Sequence, residues 1–106
     1  MIAITSKPPY YAVIFTSLRS KGDNGYGKMA EQMMTLARKQ DGFLGVESAR
    51  EELGITVSYW RDLDSIKKWK EQTVHKIARK KGRSDWYKHF KVRIALVEKD
   101  YEFEIS

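Results

Sequence analysis

The sequence predicts an α+β fold with the element order strand, helix, strand, strand, helix, strand, and three observations predict it. Residues Tyr10 to Leu18 (YYAVIFTSL) are β-branched and aromatic and end in the turn formers SKGDNGYG. Apolar residues then recur at steps of three and four from Tyr26 to Gln40. Two further strand-like runs meet at a tight corner ahead of a second helical region. The chain has 106 residues, and a prior of about 150 residues per domain makes residues 10–106 a single domain preceded by a tail over residues 1–9.

Each element follows from its pattern. The first helix is expected to seat Met29, Ala30, Met33, Leu36, Ala37 and Gln40 on one face and to stop at Asp41-Gly42. FLGVESARE and GITVSYWR flank a corner at Glu52-Leu53, with Gly54 beside it, as two antiparallel strands in a hairpin would. The second helical region runs from Leu63 to Gly82 with Asp64 as its N-cap, and Thr73 offers a cap for a second segment with a new phase. A short helical turn through SDWYKHF and a last strand KVRIALVEK complete the chain.

This order is the split βαβ pattern of ferredoxin-like sandwiches, in which two helices cover one face of a four-stranded antiparallel sheet. The first strand is apolar on both sides, with Ala12 and Ile14 pointing one way and Val13 and Phe15 the other. Phe15 and neighbours such as Trp60 are expected on the face left bare by the helices, where a second copy packed sheet to sheet would cover them.

Composition narrows the function classes. The chain has no cysteine, which excludes disulfides, thiolate metal sites and a cysteine nucleophile and fits a reducing cytoplasm. Polar residues and Pro8-Pro9 interrupt the start too soon for a signal peptide, and the longest apolar run, Tyr10 to Phe15, is far short of the roughly 20 residues of a membrane helix. A soluble protein without a membrane partner is expected. No carboxylate pair, HExxH or serine triad pattern is present, so hydrolysis has no support. From Lys67 to Arg93 stand eleven basic residues against Glu71 and Asp85, which read as a solvated helix face; without an RNP-like aromatic strand motif, nucleic acid is disfavoured.

The stretches FTSLRSKGDNGYGKMAEQM, QDGFLGVESARE, ITVSYW and HKIARKKGRSDWYKHFKVRIALVEKDY together resemble the antibiotic biosynthesis monooxygenase family, in its small stand-alone bacterial branch, over residues 10–101. Gly42, Phe43 and Gly45, the tryptophan of the third strand, and Gly82, Arg83, Trp86 and Tyr87 carry the resemblance most specifically. It implies a homodimeric α+β barrel and, among several activities, oxygenation of polycyclic phenols or quinols by O₂ without metal or flavin. The haem-degrading branch is similar over the second helix, where its functional tryptophan matches Trp69. Its haem-ligating histidine falls on Arg79, and its first-strand asparagine has no counterpart in YYAVIFTSL. Arginine does not ligate iron.

The expected function is therefore cofactor-independent oxygenation of a small aromatic molecule. Alternatives are a haem-binding or haem-degrading protein and a non-catalytic small-ligand or anion-binding barrel. His75 is the candidate general base, since imidazole titrates near neutral pH. Trp69 is a candidate cavity wall with a catalytic role. Phe15, Tyr59, Trp60 and Arg79 are candidates to line the substrate, with Ser17 and Arg19 at the end of the first strand fixing a substrate oxygen. His89 reads as structural, and no metal ligand set is expected.

Overall fold

The computed structural model describes residues 1–72 and 85–105. Its elements are β1 (Tyr10–Arg19), α1 (Tyr26–Arg38), β2 (Phe43–Arg50), β3 (Leu53–Trp60), α2 (Leu63–Lys70) and β4 (Tyr87–Val97). The strands form one antiparallel sheet in the order β2-β3-β1-β4. This is the ferredoxin-like α+β fold.

Register decides which side chains meet the helices. Tyr11 pairs with Trp60, Val13 with Ser58, Phe15 with Thr56 and Ser17 with Gly54. Cross-strand partners share a face, so these residues form one side of the sheet. That side carries the core: Trp60 is 0% exposed and packs with Met33 and Ala37 of α1 and Ile66 and Trp69 of α2, joined by Tyr11 and Val13. Phe15 and Trp60 therefore face the helices, and the expectation that they lie on the bare side is overturned. Both alternating sets of β1 are apolar, so alternation says which residues share a face without saying which face the helices cover.

The face away from the helices bears Tyr10, Ala12, Ile14 and Leu18 of β1 and Leu53, Ile55, Val57 and Tyr59 of β3. Leu53 is 49% and Ile55 41% exposed. At its other end the N-terminal tail packs on the sheet, where a Cβ at Gly45 would stand 2.9 Å from Ala3 Cβ. The Ala3 backbone N–H donates to Glu47 Oε2 at 2.9 Å.

Three local expectations are corrected. The hairpin turn is Glu51-Glu52, with Leu53 already in β3. The N-cap of α2 is Asp62, whose Oδ1 accepts from the Ser65 backbone N–H at 2.8 Å and the Ser65 hydroxyl at 2.7 Å. Tyr87 to Phe90 belong to β4 because their backbone pairs with β1, as in Ser17 with Phe90, which overrides the helical turn expected there. The helix cap at Thr73 and the stop at Gly82 lie outside the described residues. Gly42, at φ 88°, turns the chain from α1 into β2, where a Cβ would stand 2.7 Å from Ser65 Cβ.

Candidate functional site

An aromatic cluster gathers on the helix side of the sheet, towards the β1–β4 edge. Phe15 on β1 meets Tyr87 and Phe90 on β4 with ring centroids 5.2 and 5.4 Å apart, and Tyr87 and Phe90 lie 5.8 Å from each other. Tyr26, the first residue of α1, stands edge-on to Tyr87 at 5.6 Å. Further along β4 the same face exposes Val92, Ile94 and Leu96, each at more than 40%. These side chains make a partly open apolar floor in which Tyr87 meets Phe15 and Phe90 edge to face, the kind of lining an aromatic ligand can pack against.

Polar groups border that floor at the Ser17 end. Ser17 is 2% exposed, and its hydroxyl and carbonyl both accept from the Arg50 guanidinium, which crosses β3 over Gly54 to reach it. Arg19 lies 3.5 Å over the ring of Tyr26 and donates from Nε to the Trp86 carbonyl at 2.9 Å. Trp86 is itself pinned by its indole N–H to the Asn24 carbonyl at 2.8 Å. Burial holds the Tyr87 phenol well above its ordinary value of 10.0, and a hydrogen bond with Tyr26 adds to this. Arg50 and Arg19 pull the other way, which places both cations within electrostatic reach of that hydroxyl.

The candidates separate into groups. Phe15, Ser17 and Arg19 come together along one face of β1, since residues two apart on a strand share a side. Trp60 and Trp69 stack on each other in the core, with Trp69 9% exposed. Tyr59 lies on the opposite face, where it donates to Glu47 Oε1 at 2.6 Å; burial and that carboxylate push it up to about 12. His75 and Arg79 lie outside the described residues. Arg50, Tyr26 and Phe90 join the site without having been singled out as ligand-contacting residues, beside Tyr87, whose aromatic surface suits a cavity wall. Gly54, two residues past the hairpin turn, is the signal that a long side chain crosses there. A separate groove of about 540 Å³ runs along α1, bordered by Lys28, Glu31, Gln32, Thr35 and Leu36, none of them in the cluster. Among the described residues no three His, Asp or Glu side chains are grouped to hold a metal ion, and no helix is long and apolar enough to cross a membrane.

A family model, monooxygenase af470-like, matches residues 17–95. The chain belongs to this family. The match takes in Ser17 and Arg19 on β1 and Tyr87 and Phe90 on β4, and begins two residues after Phe15. Among its relatives, the uncharacterised protein YqjZ of Bacillus subtilis is 53% identical over 102 residues, covering 94% of this chain and 90% of that protein. The fold is also that of a candidate antibiotic biosynthesis monooxygenase from Nitrosomonas europaea, with a TM-score of 0.70 at 8% identity, covering 89% of this chain and 94% of the other. A mutant of SnoaB, a cofactor-independent oxygenase from Streptomyces nogalater, superposes with a TM-score of 0.73 at 10% identity, covering 86% and 95%. This monooxygenase af470-like chain thus shares its fold with proteins of the antibiotic biosynthesis monooxygenase type.

Proposed function

We propose that this af470-like chain is a homodimeric, cytoplasmic monooxygenase that uses O₂ without a prosthetic group to oxidise a small planar aromatic molecule, a phenol or hydroquinone, held on the Phe15–Tyr87–Phe90 floor. The observation that carries the reading is the meeting of those three rings beside a buried Ser17 hydroxyl. SnoaB, a cofactor-independent oxygenase of the same fold, supports the reaction class.

The chemistry asks the protein for desolvation, orientation and a base. With anthrone as substrate, loss of a ring proton leaves an electron-rich carbanion that O₂ oxidises. One oxygen atom becomes the new carbonyl of anthraquinone and the other leaves as water; the methylene carbon supplies all four electrons and both hydrogens of that water. His75 is the proposed base and Trp69 the wall behind the site, with Ser17 and Arg19 steering the substrate oxygen and Arg79 contributing to its lining. Haem binding would need His75, because His89, the other histidine, pairs with Leu18 on the sheet face turned away from Trp69.

A second copy covers the face opposite the helices. Leu53 and Ile55 lie open there, 49% and 41% exposed, side by side on neighbouring positions of that face. The test is oxygen uptake with anthrone or a hydroquinone in metal-free buffer, comparing wild type with His75→Ala and Trp69→Phe. Uptake by the wild type that falls at least tenfold in His75→Ala supports the reading; no uptake, or unchanged rates in both variants, overturns the site assignment.

A further inference from the structure

Arg50 occupies an unusual seat. It is the last residue of β2, yet its side chain lies back across β3 to hydrogen-bond Ser17 on β1, on the helix side of the sheet. Gly54 makes the crossing feasible, since a Cβ there would overlap the guanidinium. A guanidinium carries five N–H donors, and Ser17 takes one from each terminal nitrogen. Among the described residues no carboxylate lies within ion-pairing distance of Arg50 or of Arg19, although the chain has 14 acidic residues and Arg61 and Lys68 both find partners. Two cations without a carboxylate therefore border an aromatic floor.

We infer that Arg50, seated by Gly54 and Ser17, is a specificity-determining residue that receives an anionic group, a carboxylate or phenolate, on the edge of the ring bound over Phe15, Tyr87 and Phe90. The inference rests on the proposed ring-binding site and deepens it by assigning the charge of its ligand. Planar guanidinium donors match a carboxylate in geometry as well as charge. Ser17 accepts rather than competes, so it orients the guanidinium without neutralising it.

A matched pair of probes tests this: naphthoate, with a carboxylate, and naphthylmethanol, with the same ring and no charge, titrated against the full chain by fluorescence quenching. Wild type is expected to favour naphthoate by about tenfold, the size of one good charge-assisted hydrogen bond. Arg50→Gln is expected to erase that preference, lowering naphthoate affinity far more than naphthylmethanol affinity. Arg50→Lys, which keeps the charge but loses the fork, retains part of it. Gly54→Ala displaces the guanidinium without removing it and lowers naphthoate affinity alone, with a thermal melt reporting that the fold is kept. Equal binding of both probes by wild type, or a naphthoate preference that survives Arg50→Gln, overturns the anion assignment while leaving the ring site standing. Failure of both probes to bind overturns the ring site and the inference together.

Discussion

Trp60 and Trp69 stack in the core with centroids 6.0 Å apart and planes 29° from parallel. The pair ties the last residue of β3 to the next-to-last residue of α2, a helix of only 8 residues that has little stability of its own. Phe43 completes the arrangement edge-on to Trp60 at 5.3 Å. Removing the fully buried indole leaves a cavity among Met33, Ala37 and Ile66. Trp60→Ala is expected to cost about 3–5 kcal/mol, read as a lower urea midpoint with an unchanged slope.

Trp69 separates a packing role from a catalytic one. In Trp69→Phe the ring stays apolar, so folding survives with a loss of roughly 1–2 kcal/mol. A fall in kcat with anthrone much larger than that loss explains would mark Trp69 as part of the site; parallel small changes in both would mark it as core alone.

Asp62 caps α2, and its bonds to the Ser65 hydroxyl and backbone N–H hold its carboxyl down to about 2, against an ordinary value of 3.8. The folded value is depressed, so the stabilisation is fully present above pH 3.8 and is lost as pH falls towards 2. Asp62→Asn keeps a capping oxygen and is expected to flatten this acid limb, whereas Asp62→Ala lowers the urea midpoint at neutral pH as well. Midpoints measured across that window check both.

Glu47 clasps the N-terminal tail to the sheet. The Tyr59 hydroxyl and then the Ala3 N–H hold its carboxyl below the ordinary 4.5, so its contribution is present above that value and fades as acid protonates it. Glu47→Gln is expected to remove this part of the acid dependence and to speed proteolysis within residues 1–9, followed by mass spectrometry. Unchanged cleavage would mean that the tail is held by Ala3 packing on Gly45 alone.

In the proposed dimer the sheet face opposite the helices is the interface. A Leu53→Glu, Ile55→Glu double variant places charge on both open side chains, and sedimentation velocity is expected to shift from dimer to monomer. A wild-type protein that sediments as a monomer at micromolar concentration would remove the barrel from the account.

Much of this architecture is legible from local pattern. Helix α1 follows from Met29, Met33 and Ala37 at steps of four, and the hairpin from Gly54 between two β-rich runs, only one residue out of place. The face of Phe15 is not legible, because both alternating sets of β1 are apolar and only pairing with Trp60's strand decides between them. Tyr87 and Phe90 are likewise set by tertiary pairing, since YKHF reads equally as a turn until β1 supplies hydrogen-bond partners. Arg50 escapes local pattern altogether: its contact with Ser17 spans 33 positions and depends on a glycine in a third strand.

The most direct test is isotopic. Metal-free protein incubated with anthrone under ¹⁸O₂ is expected to yield anthraquinone carrying a single heavy oxygen atom, with the second in water, at a rate well above the protein-free control. Anthraquinone formed no faster than in buffer, or activity that appears only after iron, haem or flavin is added, would contradict cofactor-independent oxygenation.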